Sequence, residues 1–223
     1  MSKDMLLDKN KGGRYSLKGS RLHGIFWALV LILIDQLTKL VADTYFNLAG
    51  SPDSVDVISG WISLCIRYND GIAYGVGADA SPYVKLGVIG ATGVIMLVLT
   101  ILYFCIDRRR SWMRSAFVLV VAGGVGNLID RLYYRVWEAD CLFGVRDMVD
   151  LSRFGFAVCN FADFFICIGA VVMVIALFFF DKDALCPIGK KYKTLAKEAD
   201  EKAELKKQQK LAKKQAKQQV NNG

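Results

Sequence analysis

The sequence predicts an α-helical integral membrane protein, four transmembrane helices with a small amphipathic β-hairpin or sheet on the outer side, and three observations carry that prediction. Of the 223 residues, 54% are apolar and the mean hydropathy is +0.32, a balance that favours membrane over soluble domains. Leu86 to Ile106 and Phe164 to Phe180 contain no Asp, Glu, Lys or Arg, and each approaches the length of about 20 residues that a spanning helix needs. The basic residues are segregated along the chain.

Residues 1–21 hold six Lys or Arg and read as a basic cytoplasmic leader. Leu22 to about Ala42 is apolar except for Asp35 and Lys39, and no small-x-small cleavage site follows, so it is read as an uncleaved first span. Leu86 to Ile106 is the second. Ser115 to Ile129 is apolar and Gly-rich and reaches spanning length by continuing through Asp130 and Arg131. Phe164 to Phe180 completes a membrane domain over 22–181. The turn from Arg108 to Arg114 is strongly basic, whereas residues 44–83 contain one Arg. By the positive-inside rule both termini and the second loop are cytoplasmic, and the loops 44–83 and 133–159 lie outside.

The net charge of +8 resides almost wholly in the tail, 182–223, with twelve lysines against five acidic residues. It reads as a solvated cytoplasmic segment touching anionic membrane lipid. No aromatic-rich basic patch accompanies it, so no nucleic-acid partner is expected.

In the first outer loop, Ile62, Leu64, Ile66 and Tyr68 alternate with smaller or polar neighbours, and Asn69-Asp70-Gly71 supplies a turn before Ile72 to Val76. That pattern is an amphipathic hairpin, placed against lipid or the helix ends. Asp35 and Lys39 lie one helical turn apart, acid before base. Asn127 and Asp130 share a face of the third span, after the glycines of Ala122-Gly-Gly-Val-Gly126, and small residues of this kind let membrane helices approach closely. Asn160 and Asp163 open the fourth span, where a carboxylate alone would be only a partner for the helix dipole. With this topology Asp35, Lys39, Asn69, Asn127, Asp130, Asp150, Asn160 and Asp163 all reach the outer boundary. Ionisable groups at membrane depth are functional candidates.

The chain has one histidine, His23, near the cytoplasmic side, so neither a His-metal cluster nor a Ser-His-Asp triad is available at the outer surface. None of the six cysteines forms a CxxC pair, and no disulfide framework is implied. What remains is a pair of carboxylates activating water. Two Asp held close cannot both ionise cheaply, so one keeps a proton for the scissile carbonyl while the other accepts one from water. Which two Asp meet is open at this level.

Five blocks, Asp35-Gln-Leu-Thr-Lys39, Asn69-Asp-Gly-Ile-Ala-Tyr-Gly75, Gly126-Asn-Leu-Ile-Asp-Arg131, Met148-Val-Asp-Leu151 and Asn160-Phe-Ala-Asp163, resemble the ordered motifs of lipoprotein signal peptidase, also called signal peptidase II. The resemblance spans about residues 22–181. It implies an aspartyl endopeptidase of the bacterial cytoplasmic (inner) membrane, with its active site at the outer face. The implied partners are a diacylglyceryl-modified prolipoprotein, cut just before the lipidated cysteine, and globomycin as inhibitor. No metal or organic cofactor is implied. By motif position Asp150 and Asp163 are the catalytic pair, Asn127, Asp130, Arg131 and Asn160 shape and support the site, and Asp35, Lys39, Asn69 and Gly71 line it. The third block departs from the family in Met148 and Leu151, and Asp147 is a competing carboxylate. Asp150 is preferred because it follows the apolar residue and fills the motif's slot.

Two readings from other classes compete. A four-span ion or proton carrier would need polar groups on both membrane sides, and a membrane adaptor would tolerate loss of Asp150 and Asp163.

Overall fold

The computed structural model describes residues 21–71, 80–106, 110–138, 141, 143–180 and a few positions between 194 and 209. Four helices are long and apolar enough to cross a membrane: α1 (Arg21–Phe46), α2 (Pro82–Cys105), α3 (Ser111–Tyr133) and α4 (Phe161–Ile175), the last continuing as a π-helical turn, Ala176–Phe180. The helices start or end a few residues away from the charge-free runs because backbone hydrogen bonding, not hydropathy, sets their limits. Thus α2 starts at Pro82, whose missing N–H costs nothing in a first turn, and α4 starts at Phe161 behind its Asn160 cap.

α3 is the central helix, packed against all three others. Its glycines permit this. A Cβ at Gly126 would stand 2.6 Å from Asp35 Oδ2 of α1, and one at Gly123 would collide with the Ala162 carbonyl oxygen of α4. The outer surfaces of α1, α2 and α4 expose Leu29, Leu33, Leu97, Val98, Ile168 and Val171 among others, the apolar face a bilayer requires.

Three antiparallel strands, β1 (Ser54–Ile58), β2 (Ile62–Asn69) and β3 (Val145–Asp150), form a sheet in the order β1-β2-β3. The alternating segment is therefore a strand, as expected. Its described neighbours are β1 before it and β3 from the second outer loop, with Leu64 opposite both Val55 and Val149. The expected return strand, Ile72 to Val76, lies outside the described residues, as does most of the Lys-rich tail. After β3, a 3-10 turn (Ser152–Phe154) and Gly155, at φ 78°, reverse the chain. Val149 and Cys159 then form a bridge that delivers the chain to α4. The sheet thus caps the end of the bundle where α1 and α3 finish and α4 begins. The described cysteines, 65, 105, 141, 159 and 167, are all free thiols.

Candidate active site

The site is built on the start of α4. A helix leaves its first N–H groups without intrahelical partners, and two carboxylates satisfy some of them here. Asn160 and Asp163 form a reciprocal capping box: the Asp163 N–H donates to Asn160 Oδ1 at 3.1 Å, and the Asn160 N–H donates to Asp163 Oδ2 at 3.0 Å. Asp35 Oδ1 accepts the Ala162 N–H at 2.9 Å. Asp163 Oδ1 also accepts from Asn127 Nδ2 at 2.8 Å.

The second carboxylate of the site is Asp147. Its Oδ1 accepts from Asn160 Nδ2 at 2.6 Å and its Oδ2 from Asn69 Nδ2 at 3.2 Å. Asp147 is 4% exposed. Burial first, and the charge of Asp163 second, push its carboxyl up to about 7 against the lowering pull of the Asn160 and Asn69 hydrogen bonds and of Lys39. Each carboxylate is therefore held by two amide donors, and Asn160 touches both.

Asp150, the carboxylate expected from motif position, does not join them and is absent from the cavity lining, where Asp147 stands in its place. Asp147 and Asp150 are three residues apart on β3, and side chains alternate along a strand, so the two leave opposite faces. Asp150 Oδ1 instead accepts the Ser152 N–H at 2.8 Å and the Ser152 hydroxyl at 2.5 Å, bonds that hold its carboxyl below the usual range. Two Asp on one strand resemble each other in sequence and differ only in face.

Asp147 and Asp163 both line a cavity of about 560 Å³ between α2, α3 and α4, with Asn69, Thr92, Asn127 and Arg131 among its other polar walls. Val88, Met96, Leu151, Phe156, Phe164 and Ile166 supply apolar surface. Cys159 also lines it, and burial with the nearby Asp163 and Asp147 charges pushes its thiol up to about 12. A thiol so raised is a poor nucleophile.

Behind this wall lies a buried ion network. Lys39 and Asp35 are fully buried, 2.9 Å apart, and Lys39 Nζ also lies 3.3 Å from Asp130 and donates to Asn127 Oδ1 at 2.9 Å. Asn127 passes that constraint to Asp163. Asp35, Lys39 and Asp130 thus support the cavity from behind. Gly71 accepts from Arg131 Nη2 at 3.2 Å through its carbonyl and donates its N–H to Asn69 Oδ1 at 3.0 Å. This fixes the turn that carries Asn69. Reading from sequence passed over Gln36, Asp43, Tyr68, Tyr134 and Arg146, which form the far side of the network. Gln36 donates to the Gly126 carbonyl at 3.0 Å, and Tyr68 donates to Asp43. Of these only Gln36 lies inside a recognisable block.

The profile of the family described as signal peptidase (SPase) II matches residues 27–179. A lipoprotein signal peptidase of Fusobacterium nucleatum subsp. nucleatum is 31% identical over 166 residues, covering 74% of this chain and 91% of the relative. One from Staphylococcus haemolyticus is 32% identical over 152 residues, covering 67% and 87%. Among solved structures, a bacterial membrane enzyme determined by the in meso method at 1.9 Å resolution is 28% identical, with a TM-score of 0.56 over 70% of this chain and 92% of that one. The chain belongs to the signal peptidase II family, and is a membrane-spanning peptidase.

Proposed function

We propose that the chain removes signal peptides from diacylglyceryl-modified bacterial prolipoproteins by aspartyl chemistry, with Asp147 and Asp163 as the acting pair. The observation that carries this is their convergence, from β3 and α4, on one cavity wall with a shared amide partner. The raised carboxyl of Asp147 keeps its proton where an ordinary aspartate has lost it, which suits it to be the acid of the pair. A water between them gives a proton to the ionised carboxylate as its oxygen attacks the scissile carbonyl, and the protonated one donates to the carbonyl oxygen. The tetrahedral intermediate then collapses, and the leaving nitrogen, the amine of the lipidated cysteine, takes a proton from the pair. Asn69 and Asn127 hold the carboxylates, and Arg131 at the cavity wall is placed to orient the substrate backbone.

A substrate with two acyl chains is held at the hydrocarbon boundary, and a partly apolar cavity at the end of the bundle meets its scissile bond there. By the positive-inside rule that end is the outer face of the cytoplasmic membrane, with both termini cytoplasmic. Globomycin is the expected inhibitor. The hairpin expected over residues 62–76 clamps the lipid-bearing peptide; its first strand, Ile62–Asn69, is the middle strand of the sheet, and its continuation through residue 76 lies outside the described residues.

The test is cleavage of a diacylglyceryl-modified prolipoprotein by the purified protein in detergent. Asp147→Asn and Asp163→Asn should each abolish turnover while Asp150→Asn keeps it. Full activity after either of the first two changes would sink the pair.

A further inference from the structure

We propose that Arg146 is a positioning residue for this reaction: it fastens β3 to the ends of α1 and α3, and so holds the adjacent Asp147 at its working distance from Asp163. The proposal rests on the reading of Asp147 and Asp163 as the acting pair. Among the described residues, β3 is the strand that carries a carboxylate into the cavity, and its hydrogen bonds toward the start of α4 run through Cys159 and through Asn160 to Asp147. Something must set its position against the helices.

Arg146 does so on the strand face opposite Asp147. Its backbone N–H donates to Asp130 Oδ2 at 3.0 Å and its Nη2 to Asp130 Oδ1 at 2.8 Å, a two-point grip on one carboxylate at the end of α3. The same Nη2 donates to Gln36 of α1 at 3.3 Å, Nη1 stands 3.9 Å from Asp43, also of α1, and the guanidinium lies over the Tyr134 ring at 5.5 Å. Asp130 is the shared element, because Lys39 grips it too and through Asn127 fixes Asp163. One buried carboxylate therefore indexes both members of the pair, Asp163 through Lys39 and Asn127, and Asp147 through Arg146. A planar guanidinium suits this, since its fork sets direction as well as distance, which an ammonium does not.

The charged and amide groups facing Asp147 are Asp163 of α4, Lys39 of α1, Arg131 of α3, Asn69 of β2 and Asn160. Loosening β3 above all reopens the carboxyl to water, and it also weakens the repulsion from Asp163.

The test uses the full-length enzyme in detergent with a diacylglyceryl-modified prolipoprotein, rates being expressed per folded enzyme. Arg146→Gln should lower kcat on the order of 10²-fold, the cost of misplacing a reacting group by about an ångström. KM should stay within about twofold, as for an interaction that acts in the transition state and not in substrate binding. The alkaline limb of the pH profile should move to lower pH as the Asp147 carboxyl relaxes toward its ordinary range. Arg146→Lys, which keeps the charge without the fork, should recover part of kcat. A purely structural Arg146 would lower the melting temperature while leaving kcat and the limb in place, and that result overturns the proposal. Should Arg146→Gln not fold, Arg146→Lys carries the same test, and a wild-type kcat with an unmoved limb refutes it. An inactive wild type, or a fully active Asp147→Asn, removes the acting pair itself. An inactive Asp147→Asn beside an unperturbed Arg146 variant removes the positioning role alone.

Discussion

Asn160 donates its side-chain amide to Asp147 at 2.6 Å while also capping α4 around Asp163. A single residue thereby joins a strand carboxylate to a helix carboxylate. Asn160 is fully buried, so neither of its roles can be taken over by bulk water.

Asn160→Ala removes both. Loss of the cap should cost about 1 kcal/mol of stability, while loss of the Asp147 donor should lower kcat on the order of 10²-fold through misplacement of the carboxyl. Thermal unfolding in detergent alongside turnover separates the two. Equal kcat in the variant and the wild type would show that Asn160 serves only the helix.

The raised Asp147 carboxyl makes both activity and stability depend on pH. Its folded value of about 7 lies above the ordinary 3.8, so between those values the folded protein keeps a proton that the unfolded chain has released. Stability should therefore fall as pH rises from about 4 to about 7 and level off above, and Asp147→Asn should remove that fall, gaining on the order of a few kcal/mol at pH 8. Turnover should decline through an alkaline limb near neutrality, an apparent value that belongs to the pair. Melting temperatures and kcat/KM across pH 5 to about 9 check both. A stability profile identical in wild type and Asp147→Asn would contradict the burial of this group.

Lys39 is fully buried between Asp35 and Asp130. Lys39→Met should destabilise the protein by about 3–5 kcal/mol, because buried Asp35 loses its counter-charge and Asp130 is left with Arg146 alone. Asp35→Asn in the same chain should return part of that loss. Unfolding of the single and double variants measures it, and simple additivity of the two losses would disprove the coupling.

Gly126 gives the closest test of the α1–α3 contact. Gly126→Ala sets a Cβ 2.6 Å from Asp35 Oδ2, so one of the two must move, at about 1–3 kcal/mol. Because Asp35 also accepts the Ala162 N–H, turnover should drop with stability. A variant as stable and active as wild type would mean that α1 yields freely at this point.

The sequence by itself determined the four helices, the strand at Ile62–Asn69 and the gathering of polar residues at one end. Each of these is a property of local pattern: charge-free length, alternation, and Lys/Arg bias set against topology. It could not mark β3 as a strand, since Val145 to Val149 are buried without regard to face and no alternation betrays a strand covered on both sides. Nor could it mark Arg146 or Asp43, whose partners are distant in the chain. Which of Asp147 and Asp150 stands in the cavity with Asp163 belonged to the tertiary structure alone. Both are Asp on one strand, and only the direction in which β3 presents its faces to α4 puts Asp147 beside Asn160 and leaves Asp150 to Ser152.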